Sequence, residues 1–139
     1  MMSRTGYSDD LEPWALIRWR GAVKSAMRGK RGRAFLEELL AALDALPDKR
    51  LVMGALEDQD GGVCALGCIG RTRGLDLGVV DPEDYDEVAR TFGVAGAMAR
   101  EIMYWNDDYL YGTPTPEERY RCVRRLVEQE LATPPRARR

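Results

Sequence analysis

From residue 13 to residue 36 the chain carries seven basic side chains, Arg18, Arg20, Lys24, Arg28, Lys30, Arg31 and Arg33, and no acidic one. Arg20, Lys24 and Arg28 are four apart, which stacks them on one face of a helix. Gly29 and Gly32 interrupt the run and let the backbone turn closely. Amide N–H groups at the start of a following helix can then face an anion. This is the chemistry of a phosphate site, with Arg20, Lys24, Arg28, Lys30, Arg31 and Arg33 as its candidate ligands. The plainer alternative is internal pairing. Basic residues suit a helix C-terminus, and the acids at 81–87 could neutralise them.

A second cluster lies in "YWNDDYLYG", residues 104–112. Paired acids such as Asp107 and Asp108 can hold a divalent cation or act as acid and base. An Asn at a helix end is also a common cap, with the acids opening the next turn. Asp107, Asp108, Tyr109 and Tyr111 are candidates for contact with a protein partner. Cys64 and Cys68 are four apart and Cys122 is distant, which is not a zinc-knuckle spacing. Among apolar neighbours they read as buried thiols. "EDQDGG" at 57–62 lacks the third ligand and the closing glutamate of a calcium loop, and reads as a hairpin turn. The chain has no histidine, which excludes Ser-His-Asp and Cys-His catalysis and the usual neutral-pH proton shuttle. No catalytic residue, metal ligand or cofactor is therefore assigned. The least unfavourable enzymatic arrangement is Asp107 and Asp108 around a divalent cation.

The elements that must position these residues are mostly helical. Leu16, Trp19, Val23 and Met27 recur at helical spacing. After the glycines, Phe35, Leu36, Leu39, Leu40, Leu43 and Leu46 share a face opposite Glu37, Glu38 and Asp44. Two short apolar runs flank 58–62 and predict a β-hairpin. The second passes into a short helix ending near Gly74. Asp81-Pro82 has the form of an N-cap and first helical residue, opening a helix that stops at Gly93. Another helix covers 95–107. Thr115-Pro116-Glu117-Glu118 is a capping box for the last, which reaches about residue 131. "DEVARTFGVAGAMAREI" has helix-turn-helix spacing. The second helix would nevertheless present Ala95, Gly96, Ala97 and Glu101 to DNA, with only Arg100 able to read a base, and the first carries repelling acids. A structural helical hairpin is the expectation.

At 139 residues and 45% hydrophobic, the chain suits one core. The expectation is a mainly α (α+β) domain over residues 10–132, with about six helices and one small β-hairpin near 51–65. Residues 1–9 and the basic tail 133–139 are expected to be disordered. The net charge of −2 is unevenly spread. Residues 51–118 hold four basic and fourteen acidic side chains, while both flanking segments are net basic. No run has the length and apolarity of a membrane span, and the N-terminus lacks the apolar core of a signal peptide. Three cysteines suit reduced thiols in a cytosol.

The stretches "RWRGAVKSAMRGKRGRAFLEELLAALDALPDKRL", "VCALGCIGR", "DPEDYDEVARTFGV" and "AREIMYWND" resemble a family of small proteins encoded by tailed phages and prophages. The likeness spans residues 17–128. It implies a phage accessory role in a bacterial cytoplasm, and brings no reaction and no site residues. Residues and resemblance together predict a non-enzymatic binder of nucleic acid or a nucleotide. The alternative is an inhibitor of a host defence protein, acting through the acidic middle segment.

Overall fold

The computed structural model describes residues 4–5 and 13–135. Six helices follow in order: α1 (Pro13–Arg28), α2 (Lys30–Ala45), α3 (Ala65–Arg73), α4 (Tyr85–Phe92), α5 (Gly96–Asp107) and α6 (Pro116–Ala132). A single 3-10 turn, Leu77–Val79, joins α3 to α4. Most of the expected N-terminal fray and the end of the basic tail lie outside the described residues. Among the described residues, no helix is long and apolar enough to cross a membrane.

Local chemistry sets most of the helix ends. Thr115 accepts from the Glu118 amide at 3.1 Å while the Glu118 carboxylate accepts from the Thr115 amide, completing the capping box. Gly93 ends α4 at φ 71°, a left-handed conformation that only glycine adopts without cost, and its amide reaches the Ala89 and Arg90 carbonyls. The start of α4 departs from expectation. Asp81 accepts from the Glu83 amide and closes a turn, and the helix begins three residues later, where Asp84 accepts from Glu87.

The expected hairpin is reduced to one antiparallel bridge, Glu57 to Val63, with no strand among the described residues. The reason is local. Asp58 accepts from the Asp60 and Gly62 amides and folds the loop on itself. The returning chain then enters α3 at once, with Cys64 as its N-cap. Too few residues remain to extend a ladder.

Helices α2 and α6 run antiparallel. Arg33, near the start of α2, donates to the Leu131 and Thr133 carbonyls at the end of α6 (2.8 and 2.7 Å), and at the opposite end Tyr120 donates to the Leu43 carbonyl (2.8 Å). Between them Leu36, Leu39, Leu43, Val123 and Val127 are fully buried. Helix α5 fills the centre, burying Met98, Ala99, Ile102, Met103 and Trp105. Phe35 and Phe92 meet edge to face at 6.5 Å. Arg73 covers Phe35, pairs with Glu38 and donates to the Phe92 carbonyl, tying α3 to α2 and α4. The Arg73 guanidinium holds the Glu38 carboxyl below the usual carboxylate range.

The break between α1 and α2 is one residue, Gly29, extended at φ −72° and ψ 163°. Gly32, expected to share in the break, lies inside α2 and has a different task. A Cβ there would sit 1.8 Å from the Ala26 carbonyl oxygen. Gly21, in the middle of α1, has nothing within 4 Å of the same position. Gly32→Ala must push two backbones apart, and should cost at least about 2–3 kcal/mol. Gly21→Ala should stabilise by about 0.5–1 kcal/mol through helix propensity alone. Urea denaturation of the two variants checks both signs.

Candidate functional site

Only part of the basic run is available for a ligand. Arg20 donates to Glu101 at 2.7 Å, and Glu101 is almost wholly buried. A buried carboxylate needs a partner charge, so Arg20 belongs to the α1–α5 interface. Arg33 is held by the α6 carbonyls. Both leave the predicted ligand set. Lys24, Arg28, Lys30 and Arg31 are solvent-exposed and make no ion pair among the described residues. The acids at 81–87 form no salt bridge with them.

Lys30 and Arg31 border an open cavity of about 270 Å³, with Ser25, Ala26, Gly29 and Gly32 on one side and Val94, Ala95 and Met98 on the other. It lies where the N-termini of α2 and α5 converge. Both N-caps, Gly29 and Ala95, lack a side-chain hydrogen bond, and neither first turn holds an acid. By contrast α3, α4 and α6 are capped by Cys64, Asp84 and Thr115. The first amides of a helix lack intrahelical acceptors and carry a partial positive charge. Two uncapped N-termini lining one basic hollow are suited to a multi-oxygen anion. One acid approaches: Asp86 Oδ1 lies 3.8 Å from where a Gly96 Cβ would stand, so it flanks the α5 side.

The run 28–32 pointed to this place from sequence, but Val94, Ala95, Met98 and Asp86 were missed. The available signal was Ala95 in an N-cap position, where the neighbouring helices use Asp or Thr. The helix-turn-helix spacing is structural. Arg100, the one base-reading candidate, lies between the rings of Trp19 and Tyr85, 4.3 Å from each centroid, and donates to the Thr5 carbonyl.

The Asn106–Asp108 cluster is also largely structural. Asn106 is buried, accepts from the Ala65 amide (3.0 Å) and donates to the Val52 carbonyl (2.8 Å) and to Asp107 (2.7 Å). Asp107, expected to meet a partner, is enclosed. Arg4 donates to both its oxygens, at 2.5 and 2.9 Å, and also approaches Cys64 Sγ at 3.7 Å. Arg4 and Thr5 fall in the stretch expected to fray, yet both are buried. Tyr109 packs edge-on against Tyr104, and Tyr111 is 99% exposed.

The three cysteines are free and buried. Burial pushes the Cys68 thiol up to about 12, with neighbouring Cys64 adding to it, and raises Cys122 as well. Among the described residues no cluster of His, Cys, Asp or Glu could hold a metal. A second cavity of about 260 Å³ lies between Pro47 and Asp60, but its arginines are occupied. Arg50 pairs with Glu117, and Arg71 binds Glu57 and the Gly61 carbonyl. No family model matches the chain, and no curated protein or solved structure matches it either.

Asp107→Ala would leave the Arg4 guanidinium buried without its counter-charge. It should lower stability by about 3 kcal/mol, and the double variant Arg4→Ala/Asp107→Ala should recover part of that loss in a denaturation cycle. The thiols give a separate check. At pH 8 a thiol reagent should label none of the three cysteines in the native protein within minutes and all three after denaturation.

Proposed function

We propose that the protein binds a phosphate-bearing ligand, a nucleic acid or nucleotide, at the hollow between the N-termini of α2 and α5. The observation that carries this reading is the convergence of two uncapped helix N-termini beside Lys30 and Arg31, which make no ion pair among the described residues. Arg28 and Lys24 extend the positive field back along α1. The charged groups lining the hollow are Lys30 and Arg31, which suit holding an anion, and the reading is one of binding. With the resemblance to tailed-phage proteins, we read that role as a phage accessory function in a bacterial cytosol. An inhibitor acting through the acidic middle segment has less support. Several of those acids are already engaged, Glu101 and Asp107 in ion pairs and Asp58, Asp76, Asp81 and Asp84 on backbone amides.

Pyrophosphate titrated calorimetrically at low ionic strength tests the site directly. Binding should weaken steeply as salt is added, and the double variant Lys30→Ala/Arg31→Ala should abolish it without loss of stability. Asp86→Asn removes a negative charge beside the first turn of α5 and should tighten binding. Absence of binding at low salt, or unchanged affinity in the double variant, would refute the site.

A further inference from the structure

Helix α1 has an outer face that is solvent-exposed among the described residues. Starting from Trp14, steps of four and three residues lead to Arg18, Gly21, Ser25 and Arg28, which keeps them in one row. Ile17 and Lys24 flank it. All seven are solvent-exposed, Trp14 at 68% and Ile17 at 62%. Beyond α1's own neighbouring backbone and Gly21's chain neighbours, nothing lies within 4 Å of a Cβ placed on Gly21, so the middle of the face is clear. Arg18, Lys24 and Arg28 make no ion pair among the described residues. The row is about 21 Å long at 1.5 Å per residue, and its C-terminal end opens on Lys30, Arg31 and the hollow.

We propose that this face is a track for single-stranded nucleic acid, with Arg18, Lys24 and Arg28 following the phosphates and Trp14 stacking on a base. The inference rests on the anion site proposed above and names its ligand class. Basic side chains in line with an exposed aromatic ring are what sequence-tolerant single-strand binding requires. The charge is complementary to a polyanion, and among the described residues α1 itself carries no acid. A hollow of 270 Å³ falls just below the usual range for enclosing a small ligand. It suits one phosphate of a longer chain better than a whole buried nucleotide. Duplex fits less well: Asp86 stands beside Gly96 in the first turn of α5, and Glu83 and Asp84 are exposed just before it in sequence, so a second backbone would meet negative charge there. A lipid surface fits less well too, because an interfacial helix needs a continuous apolar face and here only Trp14 and Ile17 interrupt the charges.

Fluorescence anisotropy of a labelled 12-nucleotide oligothymidylate decides the matter, run beside a 12-base-pair duplex, a poly-glutamate peptide, phosphatidylserine vesicles and pyrophosphate as competitor. The single strand should bind more tightly than the duplex or the peptide, and pyrophosphate should compete. Trp14→Ala should weaken the oligonucleotide about tenfold and leave pyrophosphate affinity unchanged, while Trp14→Phe should retain most of the binding. Arg18→Gln and Arg28→Gln should each reduce the salt slope by about one. If pyrophosphate binds but the oligonucleotide gains nothing over it, or Trp14→Ala is neutral, the track is refuted and the anion site stands. If neither binds, both fall. Duplex or poly-glutamate binding as tight as the single strand, or vesicle binding in place of it, would also overturn the assignment.

Discussion

Gly32 rests against the Ala26 carbonyl with no room for a side chain, and the functional end of the molecule follows from that contact. The helices on either side of Gly29 can meet closely only where one of them has no Cβ. With the corner fixed, α1 lies along α5, where Trp19 covers Arg100 and Arg20 neutralises Glu101. The start of α2 is thereby carried to the start of α5. The hollow between them is a product of this geometry, and its charge comes from side chains the corner turns outward.

The acidic middle segment finds its counterparts close at hand. Arg4, Arg20, Arg50 and Arg71 each reach a carboxylate within 51–118. Other acids serve backbone amides at turns and helix starts. A segment of ten net negative charges is thus partly spent on its own structure. Among the described residues Lys24, Arg28, Lys30 and Arg31 lack such partners at one corner and along one face of α1, and Arg90, Arg121 and Arg125 lack them on α4 and α6. Uneven charge along the chain becomes an uneven field in space only after these pairs are removed.

Features decided within four residues were legible in the sequence. The capping box at Thr115, the stop at Gly93 and the αL glycine after α3 need only neighbouring atoms, and so were readable. Asp81 and Asp84 are three apart and both suit a cap, so the choice between them depends on where α4 can pack. The hairpin failed because a self-contained Asp58 turn looks, from sequence, like the tip of a ladder. Arg20 and Arg33 belonged to the basic run by type and spacing. Only the positions of α5 and α6 show that one neutralises a buried glutamate and the other holds a helix end. Arg4 has no periodic neighbour to mark it, and its role depends wholly on Asp107, over a hundred residues away.

The slot between Trp19 and Tyr85 has two aromatic walls 4.3 Å from the guanidinium of Arg100. A flat, delocalised cation can face both rings at once and still donate at its edge, whereas an ammonium is a compact point of charge. Lysine, the exchange usually regarded as mild, would therefore be a poor fit at this place. The joint of α1, α4 and α5 is specified by the shape of a charge as well as by its sign.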